Sequence, residues 1–501
     1  LSLTSSLSEA PQHRSIGEFA LSYAGASADL SRVFFEANDA LTSETPFAPK
    51  AEDGGAKKNN LYEWAEGQLR LVNVLPDNTE AKAGAAFGAG SAHSVSDDGS
   101  RVFWSDETGQ VYVRINGVTT REISTEGTPD PGKFLAASTD GSKVLLANGH
   151  LHGLGDEEPM IDLTQGKGGL QGVVGESEDL SHVYFVDTAV LTGEEENDQH
   201  AKAQAGKFNL YAWAEGAPTR FVATLGAQDN NGFSLEGASD WKAPSARTAE
   251  ASPQGRYLAF LSFAAPTGYD NTGPCKGVKS APPVVGPGPC AEAFLYDSAT
   301  GKLSCASCNP SGLPPLGPST LRRIYHAQPA MPQPRYLTDQ GRLYFDSQDS
   351  LSPFDTNEGV EDVYQYEPGG GGTCKREAGC LSLLSAGSEP VDSNLLAVDE
   401  TGKNVFFTTH DQLALKDHDD LIDLYDARED GGIPGETEVA RGECQGEACV
   451  PALSPPNDPT PGSSTFEGAG NVDEKKSAKK HKKKRKHAHK RVAKHNRGGA
   501  K

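Results

Sequence analysis

An all-β fold, a seven-bladed β-propeller with a disordered basic C-terminal tail, is predicted by three observations in this 501-residue chain. A strand-forming unit recurs seven times, and most copies are followed by a second apolar motif. The 56 Gly and 32 Pro punctuate the chain, with little helix-like patterning between them. No apolar run approaches the ~20 residues of a membrane helix, so no transmembrane segment is expected.

The recurring unit is a polar lead-in, a Ser/Asp/Gly-type turn and a β-rich run of four to six residues. It reads ASADLSRVFF at 26–35, SDDGSRVFW at 96–104, STDGSKVLL at 138–146 and SEDLSHVYF at 177–185. It returns as SPQGRYLAF at 252–260, LTDQGRLYF at 337–345 and VDETGKNVFF at 398–407. The second motif is NLYEW at 60–64, QVYVR at 110–114, NLYAW at 209–213, AFLYD at 293–297, DVYQY at 362–366 and DLYDA at 423–427; the third copy has only the weak HLHGL at 150–154. A Gly-containing turn and a further strand close most units, as in AEGQLRLVNV at 65–74.

Period-two alternation makes these runs half-buried antiparallel strands. Four short strands per unit, joined by turns, make a propeller blade. A sandwich or barrel needs no repeated four-strand unit. Seven units over 16–451 average about 60 residues, against ~40–45 for a compact blade, and the excess sits in loops. The expected organisation is an N-terminal extension (1–15), the propeller (16–451), a Pro/Gly/Ser-rich linker (452–474) and the Lys/Arg/His-rich tail (475–501). The chain starts at Leu1, not Met, with no basic n-region and apolar h-region, so either a signal peptide has been removed or this is a fragment of something longer.

SPQGRYLAF followed by FLYDSATGKL resembles the TolB-like β-propeller repeat, which runs Ser-Pro-Asp-Gly, apolar strand, Leu-Tyr, Asp, Thr-Gly. The resemblance implies the propeller fold but no single function, because such propellers serve as binding platforms, peptidase domains and lyases. Copies one and four carry Leu30 and Leu180 in place of the turn Gly, which leaves the turn geometry open there.

With the VFF-type run as second strand and the LYxW-type run as third, all second-to-third connections emerge on one face. Five of them are long: 41–59, 191–208, 264–292, 351–361 and 413–422. Long loops on a rigid scaffold carry function, although insertions tolerated on a solvated surface look the same. Two of these loops align, with Asp355 opposite Asp417, Asn357 opposite Asp419 and Asp362 opposite Asp423. Oxygens at alternate turn positions can converge on a hard cation such as calcium, with the Leu421 carbonyl adding to the second set. Neither loop is an EF-hand, since the twelfth positions are Tyr366 and Arg428. The alternative is that these Asp and Asn side chains cap hairpin turns.

Eight cysteines form four close pairs: Cys275/Cys290, Cys305/Cys308, Cys374/Cys380 and Cys444/Cys449. Local pairing in Gly/Pro-rich surroundings reads as small disulfide loops in an oxidising compartment, hence an extracellular or cell-envelope protein. The Cys305-Ala-Ser-Cys308 spacing lacks the helix start of a thioredoxin-like site, and no second Cys-x-x-Cys completes a zinc site.

No nucleophile elbow, zinc-protease helix, P-loop or dinucleotide fingerprint is present. The roughly fifty residues after Val450 cannot supply the hydrolase domain that propeller peptidases carry. His150 and His152 share a strand side without a third partner, and His93, His182, His326 and His410 occupy no common repeat position. A non-enzymatic binding or scaffold protein is therefore expected, with a protein or glycan ligand met by the acidic loop rim. The alternatives are a propeller polysaccharide lyase or hydrolase with a central-channel site, and a sensor or assembly partner in an envelope complex.

The net charge of −23 is the sum of two opposite objects. Residues 1–474 hold 32 basic and 69 acidic side chains, a net of −37, while 475–501 carry 14 Lys/Arg, four His and no acid. Such a tail cannot collapse, and on an exported protein it would meet anionic cell-wall polymer, lipid headgroups or DNA. A merely solubilising end, or attraction to an acidic body of the same kind, are the other readings.

Overall fold

The computed structural model describes residues 21–38, 40–42, 59–81, 93–106, 108–123, 132–155, 159–230, 241–242, 247–275, 288–321, 334–357, 359–414, 416–429 and 431. The chain divides into two units, Leu1–Glu438 and Val439–Lys501, and all described residues belong to the first. The expected extension at 1–15, linker at 452–474, tail at 475–501, Cys444, Cys449 and His326 lie outside the described residues.

Among the described residues, seven antiparallel sheets of three or four strands follow one another along the chain. Sheet 1 is β1 (Ser22–Ala26), β2 (Arg32–Ala37), β3 (Asn60–Ala65) and β4 (Gln68–Leu71). Sheet 2 is β5 (Arg101–Ser105), β6 (Val111–Ile115) and β7 (Thr119–Glu122). Sheet 3 is β8 (Phe134–Ala137), β9 (Lys143–Leu146), β10 (His150–Gly153) and β11 (Ile161–Asp162). Sheet 4 is β12 (Leu170–Glu176), β13 (His182–Asp187), β14 (Phe208–Ala214) and β15 (Arg220–Leu225).

Sheet 5 is β16 (Ala249–Ala251), β17 (Tyr257–Ser262), β20 (Glu292–Asp297) and β21 (Lys302–Cys305); a separate hairpin, β18 (Thr272–Gly273) with β19 (Gly288–Pro289), lies in its long loop. Sheet 6 is β22 (Ser319–Thr320), β23 (Leu343–Ser347), β24 (Asp362–Glu367) and β25 (Cys380–Leu383). Sheet 7 is β26 (Asn394–Val398), β27 (Asn404–Thr409) and β28 (Asp423–Arg428). Each is a simple up-and-down meander. Sheet 2 replaces a first strand by one bridge, Val95 to Val102, and sheet 7 has three strands among the described residues.

The repeated turn is built the same way in every sheet. Its lead residue accepts the amide of the turn residue three positions on: Ser27 from Leu30 (2.9 Å), Ser96 from Gly99 (2.7 Å), Ser177 from Leu180 (3.0 Å) and Asp399 from Gly402 (3.1 Å) are examples. In sheets 1 to 4 an Asp two residues after the lead Ser accepts its hydroxyl, as Asp179 does from Ser177 at 2.7 Å. Leu30 and Leu180 keep this geometry at φ 58° and 54°, matching Gly99 and Gly255 at 67° and 78°. The left-handed conformation costs a non-Gly residue about 1–2 kcal/mol. Leu180 offsets that by complete burial, whereas Leu30 stays exposed.

Consecutive turns are also linked in series. The Ala28 amide donates to Asp97 O (2.7 Å), Asp97 to Thr139 (2.8 Å), Thr139 to Glu178 (2.8 Å) and Glu178 to Pro253 (2.9 Å). These bonds hold sheets 1 to 5 in a fixed progression at their turn ends.

An apolar layer fills each gap between consecutive sheets. Phe34 and Leu61 of sheet 1 pack with Val102 and Trp104 of sheet 2. Phe103 and Val113 meet Val144 and Leu146; Leu145 and Leu151 meet Phe185 and Tyr211. Tyr184 and Leu210 meet Leu258 and Phe294, Ala259 and Leu295 meet Phe345 and Tyr364, and Tyr344 meets Val398 and Val405. In β2, β5, β13 and β23 the two adjacent aromatics thus serve opposite faces. Half-burial with polar alternation, expected from sequence, does not describe these central strands: β17 is buried at all six positions because both its faces are covered.

Candidate functional site

A meander fixes which connections share an end. The second-to-third strand loops all leave the end opposite the repeated turns, because successive antiparallel strands reverse direction. The registers agree: Ala37 pairs with Asn60, Asp187 with Asn209, Ser262 with Glu292, Ser347 with Asp362 and Thr409 with Asp423. Four loops open with one clamp, a Leu amide donating to the Tyr hydroxyl of the third strand. Leu41 meets Tyr62 at 3.0 Å, Leu191 meets Tyr211 at 3.2 Å, Leu351 meets Tyr364 at 3.3 Å and Leu413 meets Tyr425 at 3.1 Å. Of the loop at 41–59, only its ends are described.

Beyond the clamp, the loops of sheets 6 and 7 continue alike. The Tyr364 hydroxyl donates to Asp355 Oδ2, and the Tyr425 hydroxyl to Asp417 Oδ2, each in a short bond. The next polar positions differ. In sheet 6, Asn357 Nδ2 donates to Asp362 Oδ2 (2.8 Å) and to the Glu389 carbonyl (2.9 Å), while Ser385 Oγ donates to Asp362 Oδ1 (2.5 Å). In sheet 7, Asp419 stands where that amide would be, and Asp417, Asp419 and Asp423 each present an oxygen within 4.8 Å of the others. The Leu421 amide donates to Asp419 Oδ1 at 3.0 Å, so the carboxylate that could serve a cation already caps the turn. Oxygen donors on a turn of this kind suit calcium.

Sequence reasoning missed a set of buried carboxylates behind this rim: Glu292, Asp349 and Asp411. Burial pushes Glu292 up to about 8, with Ser307 opposing and the Asp349 charge adding. Burial likewise raises Asp349, Asp355, Asp362 and Asp411, and neighbouring carboxylates reinforce each rise. The signal that could have found Glu292 is its register: it pairs with the last residue of the second strand, like Asn60, Asn209 and Asp362. At that position Asn73, Ser307 and Ser385 perform one task, accepting the next amide (2.9, 2.8 and 3.0 Å) while bonding the side chain.

Three of the expected cysteine pairs are disulfides: Cys275–Cys290, Cys305–Cys308 and Cys374–Cys380. The first ties the ends of the hairpin insertion in sheet 5. The histidines are dispersed. His182 opens β13 beside Ser181, His410 Nδ1 lies 2.7 Å from the Asp420 carbonyl, and the His150 and His152 rings sit 6.2 Å apart on β10. Burial, then the His150 and Arg121 charges, lowers the His152 pKa. A concavity of about 420 Å³ beside sheet 7 is lined by Pro390, Val391, Asp392, Asn394, Thr408, His410 and Ile422. No helix among the described residues is long and apolar enough to cross a membrane.

No protein-family model and no curated protein matches the chain. Among solved structures it is similar to hydrazine synthase from Kuenenia stuttgartiensis, at 13% identity and TM-score 0.26 over 62% of this chain and 71% of that one. It is similar to a putative TolB from Agrobacterium tumefaciens, at 12% identity and TM-score 0.26 over 65% and 89%. It is also similar to the β-propeller domain of the Trilobed protease from Pyrococcus furiosus, at 10% identity and TM-score 0.30 over 77% and 88%. At such scores the architecture is read from this chain's own strand order and registers.

Proposed function

We propose that the seven sheets are the blades of a seven-bladed β-propeller, and that the chain is an exported, non-enzymatic binding scaffold whose ligand meets the acidic loop rim. The observation that carries this reading is the repeated meander with a common second-to-third register, which gathers the loops at one end of a rigid body. Three disulfides fit an oxidising compartment. The basic tail would add electrostatic retention on anionic envelope polymer. Within this reading, Asp417, Asp419 and Asp423 hold calcium at the rim.

Ring closure would seat sheet 7 on sheet 1. Leu424 occupies the register position of Leu61, Leu210 and Val363, which are wholly buried by the next sheet, yet it is 64% exposed. Leu396, Leu421 and Ile422 lie exposed with it. Among the described residues sheet 1 has no predecessor, and its Tyr23 is 50% exposed.

Hydrogen exchange with and without purified cell-wall glycan tests the binding face. Protection is expected at 191–208, 351–361 and 413–422. Protection confined to the opposite turns, or none at any glycan concentration, would overturn the reading.

A further inference from the structure

We propose that the Cys305–Cys308 disulfide is a thiol-exchange site. A dithiol opens it ahead of the other two described disulfides, and its opening releases the loop that holds Glu292 and Asp349. This site stands apart from the exposed trio Asp417, Asp419 and Asp423, and it needs neither ring closure nor calcium.

Access separates this disulfide from its neighbours. Cys290 and Cys374 are 0% and 4% exposed, so each of the other two bridges has a buried end. Cys305 and Cys308 are both half-buried, so neither end is sealed from an incoming thiolate. The bridge also joins residues only 3 apart along the chain, against 15 and 6 for the others. A short loop constrains the unfolded chain least, so the fold loses least when it opens.

The residues beside the sulfurs decide what the bridge controls. Ser307 lies inside the loop and is wholly buried. Its Oγ donates to Glu292 Oε2 at 2.5 Å and accepts the Ala293 amide at 2.8 Å. Asn309 follows Cys308, and its Nδ2 donates to Asp349 Oδ2 at 3.0 Å and to the Ser350 carbonyl at 3.3 Å. One loop between β21 and β22 therefore grips buried carboxylates of sheets 5 and 6, beside the Leu351 amide that opens the sheet 6 rim loop. The joint gains from water once the loop loosens: Glu292 Oε1 is buried without a partner, and the Asp349 charge acts on Glu292. Asn73 and Ser385 perform the task of Ser307 in sheets 1 and 6 with no described disulfide bracketing them, which makes them internal references.

The exchange balances in two steps. A thiolate of the dithiol attacks one sulfur of the pair, breaking the Cys305–Cys308 bond and forming a mixed disulfide; the departing sulfur leaves as a thiolate and takes a proton from water. The second thiolate of the reagent then attacks the mixed disulfide and leaves as the oxidised, cyclic reagent. Two electrons pass to the cysteine pair, which ends as two thiols.

The folded full chain is titrated with dithiothreitol, quenched with iodoacetamide and mapped by peptide mass spectrometry. Cys305 and Cys308 should be alkylated at a reagent concentration at least ~10-fold below that needed for Cys275, Cys290, Cys374 or Cys380. Hydrogen exchange on the chain opened at this bridge alone should speed the Ala293 amide at least ~10-fold and leave the Leu61 and Val363 amides, held by Asn73 and Ser385, unchanged. Cys305→Ser with Cys308→Ser should show the fast Ala293 exchange without any reagent. Opening of Cys305–Cys308 no earlier than either other bridge would overturn the proposal, as would an Ala293 amide that stays protected once it is open. Should the double variant not fold, the two wild-type measurements decide.

Discussion

Replacing Glu292 by Gln should remove this residue's own share of the pH dependence of stability. Glu292 opens β20 with 1% exposure; its Oε2 accepts Ser307 Oγ at 2.5 Å and its Oε1 has no partner. Its carboxyl sits at about 8 in the folded chain, against 4.5 when unfolded. Below 4.5 both states are protonated and the group has no effect on stability. Between the two values the unfolded chain ionises while the folded one stays neutral, so unfolding releases a proton and stability falls as pH rises. Each pH unit removes about 1.4 kcal/mol, or roughly 4–5 kcal/mol across the window, with a plateau above pH 8.

Gln keeps an acceptor for Ser307 but buries an amide donor, at a cost of about 1–3 kcal/mol at every pH. Glu292→Gln should therefore be less stable than wild type at pH 4.5 and more stable at pH 8. Urea melts of both proteins at pH 4.5, 6 and 8 measure the difference, and the other buried carboxylates largely cancel in it. A difference constant within about 1 kcal/mol across that range would refute the reasoning.

Two further outcomes follow from the turns and the cysteines. Gly255→Ala should cost about 2–3 kcal/mol in urea melts, because the residue sits at φ 78° and the added Cβ would lie 2.5 Å from the His182 Cβ; an unchanged midpoint would contradict the turn geometry. Thiol titration of the unfolded, non-reduced chain should find no more than two of the eight cysteines free, while eight free thiols would remove the argument for export.

The repeat was legible because each copy carries its own local instruction. In SDDGSRVFW, for example, the lead Ser, the turn Asp and the adjacent aromatics are contiguous, so sequence places the turn and the second strand directly. The turn tolerated Leu180 because a neighbouring sheet buries that side chain, a tertiary compensation that no local pattern displays. The hairpin Thr272–Gly273 with Gly288–Pro289 escaped notice because its two-residue strands carry no periodicity.

At the candidate site, the kinship of the sheet 6 and sheet 7 loops could be read from spacing. What could not be read is burial. The Asp411 charge reaches Asp362 only because sheets 6 and 7 pack together, and Glu292 is an ordinary charged residue until its strand is enclosed on both faces. Asp417 and Asp355 occupy equivalent positions, yet Asn357 supplies an amide donor where Asp419 supplies another charge.

Hydroxyl-radical footprinting of the full chain in solution tests the propeller reading most directly. A seven-bladed ring requires Leu424 of sheet 7 and Tyr23 of sheet 1 to be covered. Both should then react as slowly as the buried Leu210 and Tyr211. Reactivity at Leu424 and Tyr23 equal to that of the exposed Val118 and Met160 would contradict the ring and leave a row of seven sheets with open ends.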